Sequence, residues 1–175
     1  MPYYFIKTVC KHSSLLLLVL AIPCLSQPQN SQNAIYVEAF GPGLFYSINY
    51  ERFISKEFTV RGGVSIFSFH GSTSQSTFVI VPIMSNYLLG DENSKCEIGA
   101  GIDILSINGK DYGDIEPLNP PRSNSTAGVL LIGSLGYRYQ PSAGGLLFRI
   151  AATPILSPYT GYFIPSGGCS CGICF

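Results

Sequence analysis

Tryptophan is absent from this chain, histidine occurs only twice, and Asp, Glu, Lys and Arg together supply just 11% of its 175 residues. Each shortage excludes something. Lys+Arg and Asp+Glu stand at 10 each with no basic run, so the electrostatic footprint that nucleic-acid binding requires is missing. One of the two histidines, His12, lies in the N-terminal leader, which leaves His70 as the single imidazole for catalysis or metal binding. Beyond the leader the longest apolar run covers residues 78–84, far short of the about 20 residues a membrane-spanning helix needs. Without tryptophan, any aromatic belt at a membrane surface must be built from Tyr and Phe.

What remains is rich in turn formers and rings: 19 Gly, 12 Pro and 13% aromatic residues. That mixture suits an all-β chain with many turns better than a helical bundle. The length suits one domain. Residues 1–26 read as a signal peptide: Lys7 and Lys11 precede an unbroken apolar stretch at 15–22, and Cys24 and Ser26 offer small residues for cleavage. Lipidation of Cys24 is an alternative, disfavoured by Pro23 before it. The mature part, 27–175, then holds eight Lys/Arg (10 less Lys7 and Lys11) against ten Asp/Glu. An exported chain without a spanning helix is either a soluble domain or a membrane barrel, because only helices and closed barrels satisfy their backbone in lipid.

After a polar lead-in at 27–33, eight apolar-rich segments follow at about 34–40, 44–54, 58–69, 77–89, 95–106, 126–139, 145–156 and 167–175. Most match the about 9–11 residues of a tilted transmembrane strand. With the N-terminus in the periplasm, connections 55–57, 90–94 and 141–144 are periplasmic and short, while 70–76, 107–125 and 158–166 are external and longer. Outer-membrane barrels share that asymmetry. The first external connection, Gly41-Pro42-Gly43, is the tight exception. The expected fold is an eight-stranded antiparallel up-and-down transmembrane β-barrel.

Alternation fixes the faces. Tyr46, Ile48 and Tyr50 share one face with Val60, Val64 and Ile66, and the same register sets Glu51 opposite Arg61. Strand five places Cys96, Ile98, Ile102 and Ile104 opposite in sense to Glu97 and Asp103. Strands six and seven put Arg138 and Arg149 behind Leu135, Tyr137, Phe148 and Ile150, with Gly136 expected across from Arg149 to give it room. Strand four is apolar on both faces and yields no parity. In an eight-stranded barrel the polar face fills the interior. Glu38, Glu51, Glu97 and Asp103 with Arg61, Arg138 and Arg149 are therefore expected to form an interior charge network, mutually neutralised because a lone buried ion is costly. Tyr50, Phe53, Tyr87, Tyr137, Tyr139 and Phe175 fall near periplasmic strand ends, where an aromatic girdle belongs.

Other motifs read more plainly. Cys169 and Cys171 share a strand face with Ile173 and Phe175, while Cys174 points the other way, so the three thiols do not converge on a metal. Cys96 belongs to the apolar face too, and free thiols are expected throughout. His70 beside Ser72 reads as a solvated loop pair, and Asp111, Asp114 and Glu116 lack the spacing of a calcium loop. Gly99-Ala100-Gly101 makes room for interior side chains and is no dinucleotide fingerprint. Asn124-Ser125-Thr126 matches a glycosylation acceptor, a sign of exposure. No cofactor or metal is implied.

The stretches YVEAFGPGLFYSINYERFI, VRGGVSIF and GYRYQPSAGGLLFRIAATP, with a last strand ending in Phe175, resemble the small outer-membrane β-barrel proteins of Bacteroidetes. More remotely, the architecture is similar to the membrane domain of outer-membrane protein A. The resemblance spans about residues 34–175 and implies integral residence in the outer membrane of a Gram-negative cell. It also implies Phe175 as the signal read by the barrel-assembly machinery. The cysteine-rich last strand departs from that family's usual apolar and aromatic residues.

The expected function is structural or surface interaction without catalysis, by a porin-like barrel that is filled and not open. Outer-membrane lipid and the assembly machinery are its expected partners, and a monomer its expected state. Two alternatives come from other classes. A soluble lipocalin-like barrel binding a small apolar ligand would need the apolar faces turned inward. A lipid-modifying barrel enzyme would need His70 and Ser72 as its site.

Overall fold

The computed structural model describes residues 31–71, 74–91, 93–111 and 122–175. Residues 1–30, which contain the expected signal peptide and Cys24, lie outside them, as do Ser72, Asp114 and Glu116. Ten strands succeed one another: β1 (Asn33–Phe40), β2 (Tyr46–Phe53), β3 (Phe58–His70), β4 (Ser74–Gly90), β5 (Ser94–Asp111), β6 (Arg122–Tyr139), β7 (Gly145–Ala152), β8 (Ile155–Leu156), β9 (Phe163–Ile164) and β10 (Gly167–Cys174). All neighbours pair antiparallel, and β5–β6 together with β1–β10 close the sheet.

The wall has eight strands, because β7 with β8 and β9 with β10 are each one strand interrupted by proline. Leu135↔Ala152 and Leu131↔Leu156 stand on one ladder, and so do Gly167↔Ala152 and Ile155↔Ile164. Pro154 and Pro165 break the assignment because neither has an N–H to donate. The ladder still crosses the break, through Gly133 N–H to Pro154 O at 2.9 Å and Thr153 N–H to Ser166 O at 2.7 Å.

Three hairpin details differ from expectation. Residues 107–111 and 122–125, read as part of a loop, are paired strand, and the ladder runs to Asp111↔Arg122. The β3–β4 ladder likewise continues to His70↔Gln75. In the β6–β7 hairpin Gly136 faces Ala151, and Arg149 lies directly opposite Arg138. The chain swings through Gly144 (φ +89) and Gly145 (φ +126) at that turn, and β7 pairs with β10 before it meets β6.

Alternation sorts the side chains as an inside-out barrel. Inward lie Tyr36, Asn49, Arg61, Met84, Glu97 and Arg138, all at most 1% exposed. Outward lie Ile48, Ile98, Leu135, Phe148 and Ile150, each about half exposed or more. Strand β4 resolves its parity, with Ile80, Met84, Asn86 and Leu88 inward. Glycines admit the bulky interior groups. A Cβ on Gly172 would strike the carbonyl oxygen of Ile35 and Tyr36, so Tyr36 enters the lumen only because position 172 is bare. Two apolar patches, Tyr36 with Leu147 and Met84 with Ile132 and Ile155, bracket the polar interior.

One mouth carries the long hairpins, the other the chain ends. At the hairpin mouth a 3-10 turn, Gly41–Gly43, folds inward and is buried, with Gly43 O accepting from Ser65 Oγ at 3.0 Å. The connection that looked merely tight is a plug. The terminal mouth opens into a cavity of about 750 Å³ lined by Arg52, Phe53, Lys56, Lys95 and Gln140. Phe53 therefore leaves the aromatic girdle for this cavity, while Tyr87, Tyr137, Tyr139 and Phe175 stay exposed.

Candidate functional site: the charged barrel interior

Six of the seven charges read from the sequence form one chain of alternating sign: Arg61, Glu38, Arg149, Glu97, Arg138, Glu51. Glu38 on β1 takes Arg61 at 3.5 Å and Arg149 at 2.5 Å. Glu97 on β5 takes Arg149 at 2.7 Å and Arg138 at 2.6 Å. Arg138 then clasps Glu51 with two parallel bonds, Nη1 to Oε1 and Nη2 to Oε2, both 2.9 Å. Such a fork fixes orientation as well as charge.

The register alone would pair Glu51 with Arg61, which do face each other. Their contact is indirect. The Tyr36 hydroxyl accepts from Arg61 Nη1 at 3.2 Å and donates to Glu51 Oε2 at 2.9 Å. Glu97 resolves a conflict the fold creates, because Arg138 and Arg149 are cross-strand neighbours of like charge. Its carboxylate holds both, and the Ser134 hydroxyl adds a donor at 2.7 Å.

Asp103 stands apart. It is inward and 1% exposed, yet it enters none of the ion pairs among the described residues, and its Oδ1 has no hydrogen-bond partner. Its cross-strand neighbours are Pro82 and Leu130, neither of which has a side-chain donor. Four interior acids against three arginines leave one acid in excess, and geometry makes it this one. Asp103→Asn is accordingly expected to stabilise the folded barrel by about 1–2 kcal/mol, by removing a buried charge that enters no ion pair. Chemical-denaturant midpoints in detergent check this, and a loss of stability would mean that Asp103 has a partner after all.

Sequence reasoning missed three uncharged members of the network, Tyr36, Ser134 and Gln140, which accepts from Arg138 at 3.1 Å; Thr59, on the polar face with Arg61, donates to Glu51 Oε1 at 2.5 Å. The available signal was parity, since Tyr36 lies two residues from Glu38 and Ser134 four from Arg138. The remaining candidates are dispersed. His70 is exposed at the tip of β3. Cys96, Cys169 and Cys171 are exposed outward, Cys174 is inward, and all four are free thiols. Among the described residues no cluster of His, Cys, Asp or Glu could hold a metal ion. Phe175 closes the last ladder through reciprocal backbone bonds with Asn33, both 2.9 Å.

A ring-closed sheet with its ion pairs inside and an uncharged, largely apolar face outside is a transmembrane β-barrel of the outer-membrane type. Outward strand positions between the two ends carry no charge at all; Arg52 and Lys110 mark the limits. Neither a family model nor the sequence of a curated protein matches the chain. Solved structures do. The N-terminal β-barrel domain of Pseudomonas aeruginosa OprF superposes with TM-score 0.57 at 15% identity, over 82% of this chain and 98% of that one. Ail, the attachment invasion locus protein of Yersinia pestis, gives 0.51 at 14%, over 86% and 100%. At such identities the likeness establishes the shared fold.

Proposed function

We propose that this protein is a small integral outer-membrane barrel with a structural or surface-interaction role and no catalytic activity. The observation that carries the reading is the inverted distribution of side chains, an ion-paired interior beneath an uncharged, largely apolar exterior. The terminal mouth faces the periplasm, and the hairpins β3–β4 and β5–β6 stand outside. Their length supports the surface role. Eighteen residues in each of β5 and β6 exceed the 9–11 that a tilted strand spends crossing the bilayer, so the excess projects into the medium. Phe175 is the residue the assembly machinery would read, and a sheet whose strand order closes on itself suits a monomer. The motifs it shares with small Bacteroidetes barrels accord with this assignment.

The soluble ligand-binding alternative required apolar faces turned inward, and those of β2, β3 and β5 are turned outward. The test is fractionation followed by electrophoresis in dodecyl sulfate with and without boiling. Recovery in the outer membrane with a heat-dependent shift in mobility is the expected result. A soluble periplasmic protein with no shift would defeat the proposal. The same preparation in planar bilayers is expected to show no steady conductance, because the plug and the arginine–glutamate chain fill the lumen.

A further inference from the structure

The polarity of the wall reverses toward the hairpin mouth. Below the plug the inner face is polar. Above it the polar residues give way to Phe45, just before β2, and to Phe67, Phe69 and Phe78 at the inward positions of β3 and β4. The four rings form one cluster: Phe67 stacks on Phe78 with centroids 5.1 Å apart, Phe45 meets Phe67 edge-on at 4.9 Å, and Phe69 touches all three within 5.8 Å. Phe45 and Phe69 remain half exposed. On the outer face of the same stretch the residues turn polar, Ser68 bonding Thr77 at 2.9 Å.

Beside this cluster the wall opens. β2 stays paired with β1 up to Tyr46, but with β3 only as far as Ile48↔Val64. Above that point the Tyr46 hydroxyl bonds the carbonyl of Ile66 in place of a backbone donor. One bare strand edge therefore separates lipid-facing Ile66 from inward Phe67 and Phe69.

We propose that the β2–β3 seam is a lateral window through which an acyl chain of an outer-leaflet lipid lies against the phenylalanine cluster. This rests on the membrane reading above. Continuity decides the occupant, because Val64 and Ile66 on the outside and Phe67 and Phe69 on the inside form one uncharged apolar surface around that edge. Area agrees. Two half-exposed rings offer on the order of 200 Å² by the usual size of an aromatic side chain, enough for one chain and far below a stable protein interface.

Because the chain has no tryptophan, single probes can be placed without background. Phe78→Trp sits one strand inside the edge, Ile150→Trp on the lipid face, and Leu88→Trp in the buried interior near the other mouth. Each full-length variant, checked for heat-modifiable folding, is reconstituted in phosphatidylcholine vesicles with or without bromine atoms on the acyl chains. Bromines should quench Phe78→Trp about as strongly as Ile150→Trp and leave Leu88→Trp bright. Quenching of Phe78→Trp by aqueous iodide and not by bromolipid would overturn the window, leaving a water-facing wall for a soluble apolar ligand or peptide. Failure of bromolipid to quench Ile150→Trp would instead overturn the membrane reading itself. Should Phe78→Trp fail to fold, Phe69→Trp at the more exposed ring gives the same comparison.

Discussion

Glu97→Ala should lower the unfolding free energy of the barrel by about 5 kcal/mol, the upper end of what breaking a buried ion pair costs. Two buried guanidiniums, from Arg138 and Arg149, depend on this one carboxylate, and they face each other across a strand pair. Without it neither loses all its partners, since Arg138 keeps Glu51 and Arg149 keeps Glu38. The damage lies in an unscreened cation pair in a dry interior. Adding Arg149→Met should therefore restore part of the loss, so the two substitutions are strongly non-additive. Equilibrium unfolding of the single and double variants in detergent micelles measures both terms. A cost below about 1 kcal/mol, with additive behaviour, would mean that water screens the interior and that the lumen is not the packed plug drawn here.

How much of this was legible depended on which neighbours a residue answers to. The β2–β3 register followed from a three-residue turn and a clean alternation, and Glu51 does face Arg61. The parity of β5 followed equally well, because Glu97 and Asp103 interrupt an apolar run at even spacing. Strand β4 gave nothing, for a physical reason: its inward Ile80, Met84 and Leu88 are as apolar as its outward Ile83 and Leu89, so both faces look alike. The β6–β7 register was misread by one pair of residues, since a pair of positive-φ glycines lets the chain travel further before pairing resumes than a short loop suggests.

Partner choice within the network was less accessible still. Sequence reports only the strand next door, whereas Arg138 reaches Glu51 from a strand that is not its neighbour, 87 residues earlier in the chain. Closure of the barrel, not local pattern, makes that contact. The same holds for Asp103, which shares its parity with Glu97 but has Pro82 and Leu130 for neighbours instead of a guanidinium. The buried Gly41–Gly43 turn was read as a short connection because only the three-dimensional fold shows it bending inward against Ser47 and Ser65.

Leu135→Arg tests the outer face as Glu97→Ala tests the inner one. Leu135 is 65% exposed and lies four residues inside the Tyr139 end of β6, about half of the 9–11 residues a tilted strand spends crossing the bilayer, next to Ile98 on β5 and Ala152 on β7. In water such a substitution would be harmless. In hydrocarbon an arginine at mid-depth costs about 2–4 kcal/mol, falling to about 0–1 near the surface. The matched control is Asn108→Arg, on the same outward face of β5 but two residues before Lys110, where the strand already carries a cation. Folding free energies measured in phospholipid vesicles should separate the two variants by at least about 2 kcal/mol, with Leu135→Arg also slow to insert. In detergent-free buffer with urea neither variant should refold to a heat-modifiable form. Equal costs in vesicles would mean that Leu135 never meets lipid, and that a protein partner covers the apolar band. A large cost at Leu135 and one of about 0–1 kcal/mol at Asn108 would place the rung of Asn108, Thr77 and Ser68 at the membrane surface, with Phe67 and Phe78 one rung below it and the hairpin tips above.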